Sequence, residues 1–172
     1  MTGALRNLTN RLEETVGECT NLHITYPALV LGYLVLLRAN KKPGTSVAVH
    51  GEDAIVYEAR TLSENDIAVD DADAPVVSVV RFHNALREMT GRRGVREDIS
   101  RYESIGLGLV RTEGASPGEV LRTFPPQESS LNVDRFFDTL YRRYDERFVL
   151  SAPDLKTVTR RNEWNFDASV LS

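Results

Sequence analysis

Few side chains in this sequence have the type and spacing that chemistry requires. The single cysteine, Cys19, falls on an apolar helical stripe, and the three histidines, His23, His50 and His83, stand in unrelated contexts. A nucleophile needs a base within hydrogen-bond reach, so neither a Ser-His-Asp nor a Cys-His arrangement can be argued from these positions. A zinc site is equally unsupported, because no pair of ligands recurs at short spacing. His83 reads as a satisfied helix residue rather than a ligand. Two other groups carry more. From Arg81 to Arg101 six arginines (Arg81, Arg87, Arg92, Arg93, Arg96 and Arg101) stand against three acids, and the glycine-bracketed Gly91-Arg92-Arg93-Gly94-Val95-Arg96 forms a loop among them. Guanidinium forks and flexible backbone amides can both reach anionic oxygens, so Arg92, Arg93 and Arg96 are candidates for DNA phosphate contacts. The competing reading is a solvated helix end whose cations complement the macrodipole.

The second group lies near the start. Leu5, Leu8, Leu12, Val16 and Cys19 recur at about 100° per residue and gather into one stripe, leaving Asn7, Asn10, Arg11, Glu14 and Glu18 on the opposite face. That face is rich in amides as well as charge, as expected of residues bordering a site.

The elements that must position these groups follow from periodicity. An opening helix is expected from Met1 to about Asn21, weakened by Gly17, a cost that helices seldom carry without a packing reason. Ala28 to Leu37 is apolar on both alternating faces, as in a strand buried on both sides, with a buried helix as the competing reading. Val47–Val49 and Ala54–Tyr57 read as short strands or loop. Eight acids and one base between Glu52 and Asp73 suggest a solvated, mobile excursion, without the oxygen pattern of a calcium loop. After Pro75, Val76, Val79, Val80, Phe82, His83, Leu86 and Met89 mark an amphipathic helix. A strand is expected through Ile105-Gly106-Leu107-Gly108-Leu109-Val110, where the glycines signal close backbone packing rather than a nucleotide loop. Leu131 to Phe148 reads as a second strong helix with an aromatic core face of Phe136, Phe137, Leu140, Tyr141, Tyr144 and Phe148. Trp164 lies in a tail expected to pack back on the domain.

Length and composition set the frame. A chain of 172 residues, 41% hydrophobic, predicts one α/β (α+β) domain with a largely helical C-terminal half: 1–40 a helix and buried strand, 41–74 an acidic loop-rich excursion, and 75–172 a helical and mixed C-terminal part. The absence of a long uncharged apolar run and of a signal-peptide pattern predicts a cytoplasmic protein that does not engage membranes. The net charge of −4 argues against bulk coating of nucleic acid but leaves room for a local basic groove.

Asn10-Arg11-Leu12-Glu13-Glu14-Thr15-Val16-Gly17-Glu18, preceded by Leu5-Arg6-Asn7-Leu8 and followed by the apolar run, resembles the helix after the catalytic strand in restriction-endonuclease-like proteins of the PD-(D/E)xK superfamily. It is close to an Asn-Asn-Arg-x-Glu-Glu-x-x-Gly stretch of certain type II restriction enzymes. The resemblance covers about residues 4 to 38, and more loosely Arg81–Val110 and Leu131–Phe148. It implies an αβββαβ core in which a carboxylate-x-lysine pair holds magnesium and activates water for phosphodiester hydrolysis. That pair belongs upstream of Met1, and the acid-x-lysine found here, Asp154-Leu155-Lys156, follows every expected core strand. The resemblance therefore implies the C-terminal portion of a DNA nuclease, part of a restriction-modification system. It would bind DNA without being catalytic by itself, with no catalytic or metal residues of its own. Asn7, Asn10, Arg11 and Glu14 would border the site, and magnesium would come with the missing strand. Its partners would be DNA and either a catalytic N-terminal chain or further copies of itself. The alternatives are a non-catalytic interaction or regulatory subunit, and a globular protein without nucleic-acid function.

Overall fold

The computed structural model describes residues 8–41, 46–50, 56–61, 67–111 and 116–148. Helix α1 spans Leu8–Thr25 and turns Leu12, Thr15, Val16, Cys19 and His23 inward, a stripe at helical spacing. It runs beyond the expected end at Asn21 because His23 is buried and bonded, and it stops short of Pro27, whose ring disfavours helical geometry in the residue before it. Among the described residues Gly17 has no packing reason: a Cβ built there meets nothing within 4 Å.

Strand β1 (Gly32–Arg38) lies parallel to β4 (Ser104–Val110), register Gly32 to Ser104 through Arg38 to Val110. Between them come an antiparallel hairpin, β2 (Ser46–His50) with β3 (Val56–Thr61), and helix α2 (Val77–Glu88). A 3₁₀ turn at Val133–Arg135 leads into α3 (Phe136–Arg147). The result is a mixed helix-and-strand fold, and no described helix is long and apolar enough to cross a membrane. Among the described residues the C-terminal half mixes helix, strand and irregular segments at 89–103 and 116–132 rather than being largely helical.

The two faces of the β1–β4 sheet are covered differently. On one, Tyr33, Val35 and Leu37 stand beside Ile105, Leu107 and Leu109 and join the core with Cys19 of α1 and Val79, Phe82 and Leu86 of α2. Tyr33 stacks on Tyr102 at 5.6 Å between ring centroids. On the other, α3 presses Phe136 and Leu140 onto Gly32 and Gly106, where an added Cβ would come within 2.7 Å of either side chain at Gly32. Close backbone packing is thus what these glycines provide, in line with the reading of Gly106 and Gly108. Beyond that end the face is open: Leu34 is 41% exposed and Leu36 56%. The strand expected to be buried on both sides alternates between half-buried and exposed: Tyr33, Val35 and Leu37 face the core, while Gly32, Leu34, Leu36 and Arg38 lie on the face that α3 covers only in part.

α3 also departs from its expected aromatic core. Phe136 is buried, but Phe137 is 55% exposed. In the acidic segment, the described end is held in place. Asp70 caps the amides of Ala72 and Ala74, and Asp73 pairs with Lys41 (2.8 Å) and Arg111 (2.9 Å). Asp154-Leu155-Lys156 and Trp164 lie outside the described residues.

Candidate functional site

The residues expected to border a site divide along α1. Asn7 lies outside the described residues, whereas Asn10, Arg11, Glu14 and Glu18 are all exposed on the outward face. The segment just past the arginine loop meets α1 farther along: Cys19 Sγ and His23 Nδ1 lie 3.7 and 2.9 Å from the carbonyl oxygen of Ile99. From Arg11 to Cys19 is about 12 Å of helix at ~1.5 Å per residue. Asn10 and Arg11 therefore lie toward the start of α1, whereas Glu18 of the same face stands next to the residue that meets Ile99.

Within the loop the three arginines separate. Arg93 and Arg96 are exposed and make no side-chain ion pair among the described residues; the Arg93 amide donates to Glu97 Oε2 at 2.8 Å. Arg92 is a correction to the expected phosphate contacts. It is 1% exposed, and its guanidinium donates to Glu103 Oε1 at 2.6 Å and to the carbonyls of Pro27 (3.1 Å) and Val95 (3.4 Å). A side chain committed inward in this way cannot reach a phosphate outside.

Arg92 belongs instead to a buried polar cluster around Glu103, the residue just before β4. Glu103 Oε1 also pairs with Arg147 Nη1 of α3 at 2.8 Å, and Oε2 accepts from the amide of Leu31, just before β1, at 2.8 Å. Arg147 further donates to the carbonyls of Leu29 (2.6 Å) and Arg93 (2.9 Å). His23 Nε2 stands 3.4 Å from Glu103 Oε2. One carboxylate thus ties together the end of α1, the starts of β1 and β4, the arginine loop and the end of α3. Breaking such a buried charge network leaves unpaired ions in a medium that solvates them poorly.

The same cluster places Cys19 Sγ 3.5 Å from His23 Nδ1, with Glu103 on the other side of the ring, an outline of a Cys-His-Glu triad. The hydrogen bonds argue against that chemistry. Ile99 offers His23 Nδ1 a carbonyl oxygen, which can only accept, so Nδ1 carries the proton and cannot take one from the thiol. Burial first, and then the nearby Glu103 carboxylate, push the Cys19 thiol up to about 12, the reverse of an activated nucleophile. Burial likewise raises the Tyr102 phenol, whose hydroxyl donates to the Thr15 carbonyl at 2.9 Å.

His83 is buried between Ser129 Oγ (Nε2, 2.9 Å) and Asn84 Oδ1 (Nδ1, 3.2 Å), and burial pulls it below the usual histidine value. It is a bonded helix residue, as its sequence context implies. Among the described residues no three His, Cys, Asp or Glu side chains converge as metal ligands do. No protein-family model, curated protein or solved structure matches the chain.

Sequence reasoning missed the Glu103 cluster. The i, i+4 spacing of Cys19 and His23 and an acid directly preceding an apolar strand were its available signals. Arg147, some forty residues beyond Glu103, gave none.

Proposed function

We propose that this chain is the C-terminal portion of a restriction-endonuclease-like DNA nuclease, binding DNA but not catalytic by itself. One observation supports this reading above the others: α1 leads directly into β1, and no described strand occupies the outer edge of β1. A strand preceding α1 would form a β-α-β unit with β1, and the right-handed crossover rule permits it to lie parallel along that vacant edge. In the resemblance to PD-(D/E)xK nucleases, that preceding strand carries the acid-x-lysine pair and brings the magnesium. The described residues offer no ligand cluster for the ion, so no hydrolytic step is assigned to them. What they contribute is the supporting helix, with Asn10, Arg11 and Glu14 on its exposed face, and a basic loop from which Arg93 and Arg96 reach phosphate.

The test is binding of a fluorescent DNA duplex followed by anisotropy across a salt series. Each phosphate contact contributes roughly 0.9 to the log-log slope, so Arg93→Gln with Arg96→Gln should weaken binding and flatten the slope by about 1.8. Arg92→Gln is no substitute, because it disturbs the interior. An unchanged slope would overturn the phosphate assignment, and magnesium-dependent cleavage by the chain alone would overturn its non-catalytic character.

A further inference from the structure

Among the described residues β1 is an edge strand without the usual protection. The ladder with β4 fixes which backbone groups are used: the Leu31 carbonyl accepts from the Glu103 amide at 3.1 Å, and the Ala39 amide donates to the Val110 carbonyl at 2.7 Å. Peptide groups alternate along a strand, so Leu31, Tyr33, Val35, Leu37 and Ala39 point toward β4. Gly32, Leu34, Leu36 and Arg38 then point their N–H and C=O groups away from it, and no described residue bonds to them. Natural edges are blunted by proline, inward charge, a bulge or a covering element. Between Gly32 and Leu37 there is neither proline nor charge, and the register with β4 runs without a bulge. The leucines at Leu34 and Leu36 stand exposed beside the free groups.

We infer that this edge pairs with β1 of a second copy of the chain, antiparallel and centred on Val35. The free groups are self-complementary about that point. Leu34 meets Leu36 of the second copy and Leu36 meets its Leu34, each pair exchanging both backbone hydrogen bonds. Gly32 meets Arg38 of the second copy, so the only charges on the two strands lie at opposite ends and never face each other. A two-fold axis through Val35 keeps both copies' leucines on the same sheet face, where four exposed leucines become one apolar cluster. The pairing extends two separate β1–β4 sheets into one and uses up the edge, so it closes at two copies. It takes the same edge on which the proposed function places a preceding strand, so the two occupants exclude each other there: the dimer is what this chain forms without that strand, and the phosphate contacts on the arginine loop are tested separately.

Sedimentation velocity over a range of chain concentrations, with amide hydrogen exchange at each, tests it. The expected result is a monomer–dimer equilibrium in which the Leu34 and Leu36 amides become protected as dimer accumulates. Leu34→Lys with Leu36→Lys should be monomeric with an unchanged circular dichroism spectrum, since both side chains are already exposed. A chain that stays monomeric with freely exchanging Leu34 and Leu36 amides overturns the inference. So does a monomer whose amides are protected at every concentration, because another part of the same chain would then cover the edge. A dimer that survives both lysines with those amides unprotected, or assembly beyond two copies, overturns it as well.

Discussion

β1 and β4 are near-twins in sequence and opposites in surroundings. Each has seven residues, each is built on leucine and glycine, and they lie in register side by side. Yet β4 is buried from Ser104 to Leu109, whereas β1 alternates between half-buried and exposed. The difference lies in the neighbours. β4 is bonded on both edges, to β1 and to the segment 120–132 through Leu107 N to Leu131 O and Leu121 N to Leu109 O, both 2.8 Å. Among the described residues β1 is bonded on one. An apolar strand pattern thus states what a strand could bury, and the elements around it decide what is buried.

The strongest way to break the comparison is at the point both strands share. Glu103 precedes β4, receives the Leu31 amide ahead of β1, and neutralises Arg92 and Arg147. Glu103→Gln keeps the shape but leaves two buried guanidinium groups facing a neutral amide. A loss of about 3–5 kcal/mol in urea unfolding is expected, the scale of removing one partner from a buried ion network. Arg122→Ala, which removes an exposed pair with Asp134, should change stability by less than about 1 kcal/mol. Equal losses from the two substitutions would mean that the buried cluster holds nothing together.

Within the strands, Leu107→Ala and Leu36→Ala delete the same atoms from different surroundings. Leu107 is fully buried between α2 and the segment near Leu131, so its truncation should cost about 2–5 kcal/mol through lost transfer energy and a cavity. Leu36 is more than half exposed and should cost less than about 1 kcal/mol in the monomer. A large loss at Leu36 in dilute protein would show that β1 is covered after all.

These contrasts explain what the sequence made legible. The periodicity of Leu12, Val16 and Cys19, of Val79, Phe82 and Leu86, and of Ile105 to Leu109 announced α1, α2 and β4, because each has one apolar face matched to one period. Burial of β1 and of Phe137 was not legible, since both depend on how far α3 reaches over the sheet. Of the candidate site, the exposure of Asn10, Arg11, Glu14, Arg93 and Arg96 agrees with their polar character, while Arg92 and Arg93 are neighbours of one type with opposite fates. What separates them is Glu103, eleven residues past Arg92, a partner that only the tertiary fold supplies.

The smallest effects grade the covered end of the sheet against the open one. Gly32, Gly106 and Gly108 share one face, and a Cβ at each meets progressively less. At Gly32 it would stand 2.7 Å from both Phe136 and Leu140. At Gly106 the closest atom is the end of Leu34 at 2.9 Å, with the buried Phe136 ring at 3.1 Å. At Gly108 it meets only the tip of Leu36, at 3.0 Å, and Val120 at 3.5 Å. Phe136 is held beneath α3 and must drag the helix to yield, whereas Leu36 can swing into solvent. Overpacking at Gly32→Ala should therefore cost about 1–3 kcal/mol. Gly106→Ala should fall below it, and at Gly108→Ala the gain of roughly 0.5–1 kcal/mol from restricting the unfolded chain should cancel the contact. Unfolding midpoints in that order would place the boundary of α3's cover between Gly106 and Gly108. A flat series would mean that α3 shifts freely across the sheet, and the distinction between the covered and open ends of β1 would not survive it.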